Sequence, residues 1–123
     1  MITEDYVSFE TAKLLKEKGF VEECRAFYVK SKECGIELFY AKEPNNYNDN
    51  VLPCTSAPTL QMAMKWLREK HKIFISIQQH MDMSYVWYSY EDGAPKGCDR
   101  ESHNNTYEQA CEAAIKYCLE KLI

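Results

Sequence analysis

A chain of 123 residues is the length of one ordinary domain. With 46% hydrophobic and 28% charged residues and only four Gly and four Pro, the composition excludes a disordered or low-complexity chain. A net charge of -4 and a pI near 5.4 set the overall sign against generic attraction to nucleic acid.

A domain of this size buries roughly 65% of the surface its unfolded chain exposes, so one core can form without a metal or a disulfide. Glu4 and Asp5 stand where a secretory leader would be basic, and no run approaches the ~18 apolar residues of a membrane span. A soluble, cytoplasmic protein is expected. In a reducing compartment Cys24, Cys34, Cys54, Cys98, Cys111 and Cys118 are small core residues, since no CxxC pair occurs. Cys98 and His103, with His80 as a third ligand, form the only metal-like spacing and lack a fourth ligand. Neither a metal nor a cofactor is expected.

In chain order, Ser8 to Lys18 reads as a helix capped by Ser8, with Phe9, Ala12 and Leu15 at helical spacing and Gly19 at its end. Cys24 to Lys30 and Ile36 to Lys42 read as an antiparallel hairpin. The Asn-rich stretch from Glu43 to Pro53 reads as a loop of turn formers without the frame of a calcium site. Ser56-Ala57-Pro58-Thr59 opens a second helix, which buries Leu60, Ala63, Met64 and Leu67 and ends near His71. Ile73 to Gln79 alternates as a half-buried strand, and Ser84 to Tyr90 follows as an aromatic one. Glu91 to Asn105 reads as a loop. Thr106-Tyr107-Glu108-Gln109 is a capping box that opens a last helix running to Leu122.

The expected fold is a single α+β domain spanning 1–123, in the order α-β-β-α-β-β-α. Its four-stranded antiparallel sheet carries three helices mainly on one face. Lys13–Lys18, Lys65–Lys70 and Lys116–Lys121 align at offsets close to fifty residues. They allow a degenerate αββ repeat over 8–42 and 57–90, closed by a helix over 106–122.

Catalytic signatures are missing: there is no GxSxG, GxxxxGK[ST], HExxH or dinucleotide glycine pattern. The expectation is a protein that is not an enzyme. The informative feature is the sheet. If Val86 lies opposite Ile77, and Tyr28 shares a face with Phe39, then Tyr28, Phe39, Phe74, Tyr85 and Trp87 crowd one face; a one-residue slip would break the set. Clustered aromatic area of this kind suits a protein partner or a second copy of the chain. Two other outcomes compete: a cover drawn from the 43–53 loop, and base stacking on single-stranded nucleic acid.

Three blocks carry a resemblance: Ile2–Phe9 running into Ala12–Phe20, Ala57–Glu69, and Tyr107–Glu120. Together they resemble a group of short uncharacterised proteins of gut Bacteroidetes found in phage-like and mobile-element regions, a group without an assigned activity. The strand-strand-loop-helix order from Ile73 to Leu122 is similar to HicB-type antitoxin domains, which implies binding to a protein. The expectation that follows is a non-catalytic accessory protein acting through a protein partner or as a homo-oligomer, with single-stranded nucleic-acid binding by the same aromatic face as the alternative.

Overall fold

The structure is a computed structural model describing residues 1–49, 53–99 and 104–123. Its elements are α1 (Phe9–Glu17), β1 (Cys24–Ser31), β2 (Gly35–Asn45), a 3-10 turn (Tyr47–Asp49), β3 (Cys54–Ser56), α2 (Leu60–His71), β4 (Ile73–Gln79), β5 (Tyr85–Glu91), β6 (Ala94–Cys98) and α3 (Tyr107–Lys121). The chain is α+β, with three helices and two antiparallel three-stranded sheets. The expected order α-β-β-α-β-β-α and single four-stranded sheet are not matched: the two expected hairpins, β1-β2 and β4-β5, lie in separate sheets, and β3 and β6 add a third strand to each. The contacts gather into two compact units, Met1–Thr59 and Leu60–Ile123.

In the first unit the strand order is β2-β1-β3. Ser8 caps α1 by accepting a hydrogen bond from Thr11 N at 3.2 Å, and Gly19 at φ +90° turns the chain out of the helix. α1 buries Ala12 and Leu15. Segment 56–59 is not the first turn of a helix. Ser56 is the last residue of β3, Ala57 N donates to Ala26 O at 2.9 Å, and Pro58 O accepts from Val7 N at 3.0 Å. The chain is thus held extended by neighbouring backbone until Thr59 pairs with Tyr6.

In the second unit the order is β4-β5-β6. α3 lies over the face that carries Ile73, Ile75, Trp87 and Ser89, and α2 packs beside β4 and α3. Thr106 caps α3, accepting from Gln109 N at 3.1 Å, while Gln109 Oε1 accepts from Asn105 N at 3.0 Å. β6 falls inside the segment expected to be a loop, because Pro95 and Gly97 read as breakers. Pro is admissible at a sheet edge, where its missing N–H costs no ladder bond. The signal for this hairpin was Asp92-Gly93: both residues have positive φ, 49° and 83°, and they join Glu91 to Ala94 in a two-residue turn.

Both units run from a helix into three strands. The first strand is central in one sheet and the second strand in the other, so the two units do not share a strand order.

Register corrects the expected shared face. In the first hairpin Phe27 is opposite Phe39 and Tyr28 opposite Leu38, so Tyr28 and Phe39 point to opposite faces. In the second hairpin Ile77 is opposite Trp87 and Gln78 opposite Val86, so Tyr85 and Trp87 share the face of the isoleucines while Phe74 lies on the other.

Candidate functional site

Of the five residues expected to form one aromatic surface, two are markedly exposed. Phe39 is 42% and Phe74 51% exposed, whereas Trp87 is 5% exposed. Trp87 packs against Tyr117 of α3 with ring centroids 5.0 Å apart. Tyr28 is covered by the segment leading into α1: its hydroxyl donates to Val7 O at 2.6 Å and its ring meets Phe9 edge-on at 5.6 Å. Tyr85 meets Tyr107 at 6.2 Å, and its hydroxyl accepts from Gln79 Nε2 at 3.2 Å.

The second unit has a face turned away from α3. On it stand Phe74, Ser76, Gln78, Val86, Tyr88 and Tyr90, with Cys98 opposite Tyr88 and Pro95 opposite Tyr90. Phe74 and Tyr90 are cross-strand neighbours with centroids 6.3 Å apart. A groove of about 890 Å³ is lined by His80, Val86, Tyr88, Tyr90, Pro95 and Cys98, and it is not confined to this face, since Ser89, Gly97, Asp99 and Tyr117 of α3 line it too. Asp99 accepts from Asn104 Nδ2 at 2.8 Å, which ties one end of the groove to the residue bridging Tyr85. The volume is that of a binding pocket, and the chemistry is aromatic faces with a few hydroxyl, imidazole, thiol and carboxylate groups at the edges. Tyr88, Tyr90 and Pro95 were not singled out from the sequence. The only available signal was the alternation of β5, which needs its register fixed before it says which tyrosines share a face.

The first unit has a different aromatic feature. On the face opposite α1, Tyr47 stacks on Phe27 at 4.3 Å with planes 25° apart, and Phe27 stacks on Phe39 at 5.8 Å and 23°. Tyr47 comes from the Asn-rich segment, which therefore covers Phe27 in part. The asparagines of this segment act within the chain. Asn46 Oδ1 accepts from Asn48 N at 3.0 Å, and Asn48 Oδ1 accepts from Ser56 N at 2.8 Å. Asn48 Nδ2 donates to Phe20 O at 2.9 Å. This is turn chemistry that closes the unit around the fully buried Ser56.

The thiols of Cys24 and Cys118 are pushed up to about 12 and that of Cys111 to about 11, in each case first by burial. Raised thiols hold little thiolate at neutral pH and are poor nucleophiles and poor metal ligands. Among the described residues no group of three or more His, Cys, Asp or Glu converges as metal ligands. The Cys98–His103 spacing involves His103, which lies outside the described residues.

The fold class is thus α+β, built from two small antiparallel sheets and three helices. Compared with family models, with curated proteins and with solved structures, the chain has no match.

Proposed function

We propose that the chain is a non-catalytic accessory protein that binds another protein through the groove-bearing face of its second sheet. One observation carries this reading: Phe74, 51% exposed, stands beside Tyr90 on a sheet face that contributes Tyr88, Tyr90 and Pro95 to a groove of about 890 Å³. Aromatic anchors around a concavity are what a protein contact uses for most of its energy.

The test places a photo-crosslinking phenylalanine analogue at Phe74 in the host cell. A discrete protein adduct that disappears on Tyr90→Ala and survives Cys98→Ser supports binding without thiol chemistry. Adducts confined to nucleic acid, or loss of the adduct on Cys98→Ser alone, refute it. A second reading, single-stranded nucleic-acid binding, is favoured by the near-parallel row of Tyr47, Phe27 and Phe39. The net charge of -4 ranks it behind. It requires retention of labelled oligonucleotide that falls steeply with salt.

A further inference from the structure

The β2 edge of the first sheet is built differently from the β3 and β6 edges. β3 is short and wholly buried, and β6 carries Pro95 and a register shift. These are devices that blunt an edge. β2 is long, has only β1 beside it as a strand among the described residues, and exposes Ile36 at 45%, Phe39 at 42% and Tyr40 at 65%. Between Ile36 and Ala41 it carries a single charge, Glu37; Lys42, Glu43 and Pro44 come only after the ladder with β1 shifts register beyond Tyr40. An exposed apolar edge of this kind is a template for another strand.

The sequence of β2 narrows what that strand is. When two copies of one strand pair antiparallel about a two-fold axis normal to the sheet, faces are preserved, so only residues of one face oppose one another. Three registers centre on the apolar stretch. Centring on Tyr40 sets Glu37 against Glu43, like charges on both sides of the axis. Centring on Leu38 sets each Glu37 carboxylate against a Phe39 ring. Centring on Phe39 opposes Leu38 to Tyr40, Glu37 to Ala41 and Ile36 to Lys42, with no like-charge pair. It also continues a feature already present. The row Tyr47, Phe27, Phe39 ends at this edge because Phe39 is the direct cross-strand partner of Phe27. A second Phe39 opposite the first extends three rings to six.

We propose that β2 pairs with β2 of a second copy, antiparallel and centred on Phe39, joining two three-stranded sheets into one of six strands. This surface lies in the first unit and is independent of the groove proposed for a partner protein.

The test combines oligomeric state with register. Light scattering should give twice the 14.4 kDa chain mass. Phe39→Lys, which sets two like charges face to face, should raise the dimer dissociation constant at least about tenfold while leaving the far-UV circular dichroism unchanged. In a Cys34→Ser background, mixed Leu38→Cys and Tyr40→Cys chains should cross-link to each other on mild oxidation, and neither should cross-link to itself. Phe74→Ala and Tyr90→Ala should leave the dimer intact, so failure of the groove and failure of the edge are distinguishable. A monomer up to about 1 mM, the scale of a negligible association, overturns the proposal. So does a dimer indifferent to Phe39→Lys. Self-cross-linking of Leu38→Cys or of Tyr40→Cys assigns another register and overturns it too.

Discussion

Asn48 is a single exposed-looking residue of an Asn-rich loop whose removal should unfold the first unit at much lower denaturant. Its Oδ1 is the acceptor for Ser56 N at 2.8 Å, and Ser56 is fully buried, so no water can replace it in the folded state. Its Nδ2 donates to Phe20 O at 2.9 Å. Asn48→Ala leaves a buried amide without its side-chain acceptor, a loss of ~1–3 kcal/mol, and takes a donor from Phe20 O for about 1 kcal/mol more. The expected cost is therefore ~2–4 kcal/mol, a fall in the urea midpoint of about 0.7–4 M for slopes of ~1–3 kcal/mol/M. Urea unfolding by circular dichroism gives the global number, and amide exchange at Ser56 gives the local one. Asn48→Asp separates the two bonds. It keeps the acceptor but turns a second oxygen toward Phe20 O, so the ionised form is disfavoured and the carboxyl in the folded state should lie above its ordinary ~3.9. A raised carboxyl binds more protons folded than unfolded, so this variant should be least stable at neutral pH and recover as the pH falls. If Asn48→Ala stays within ~0.5 kcal/mol of the wild type, the loop is decoration and the account of the first unit fails.

Trp87→Ala should cost ~3–5 kcal/mol as a buried large-to-small change; a stable variant with altered binding would put Trp87 on the surface after all. Both tryptophans are buried, Trp66 at 6% and Trp87 at 5% exposure, so iodide should quench native fluorescence weakly. A Cβ on Gly97 would lie 2.6 Å from Tyr117 Cε1, so Gly97→Ala must displace that ring. The displacement should cost ~1–3 kcal/mol in the wild type and much less beside Tyr117→Ala, which a double-mutant cycle measures. The exposed Cys34 should alkylate in the native protein at pH 8, whereas Cys24, Cys111 and Cys118 should wait for unfolding. Because burial raises those three thiols to about 12, 11 and 12, the unfolded chain releases their protons first as pH rises above their ordinary value near 9. Native stability should then fall between about pH 9 and 12 and show no thiol-linked change below that window.

The helices were legible because their signals are local. Ser8 and Thr106 cap α1 and α3 with hydrogen bonds spanning three residues, and Gly19 turns the chain out of α1. The short strands were not legible. Cys54–Ser56 is a strand only because Val29, Tyr28 and Phe27 lie beside it, and nothing in three residues announces a partner far along the chain. β6 carries Pro95 and Gly97, residues whose local preference is against a strand, and the edge position overrides that preference. Pro58 illustrates the converse: a good helix-opening residue is held outside the helix because its carbonyl accepts from Val7 N.

The candidate site went astray for one reason common to both hairpins, the parity of the connecting loop. Ser31 pairs with Gly35 across Lys32, Glu33 and Cys34, and His80 N donates to Ser84 O across Met81, Asp82 and Met83. Each loop has three residues, whereas the expected face assignments needed an even number. A change of one residue in loop length moves every opposing pair by one and so transfers a whole strand's side chains to the other face. Turn chemistry decides the parity: Cys34 N donates to Ser31 Oγ at 2.9 Å in the first loop. In the second, Ser84 N donates to Asp82 Oδ1 at 3.0 Å while Met83 takes a positive φ of 73°. Left-handed conformation at a methionine is uncommon, which is why this loop does not look like a three-residue turn in the sequence. The same parity that buries Trp87 opposite Ile77 puts Tyr88 and Tyr90 on the face of Phe74, and it sets Phe27 directly opposite Phe39. Two loops of three residues therefore divide one supposed aromatic face into a groove in the second unit and a ring row ending at an open edge in the first.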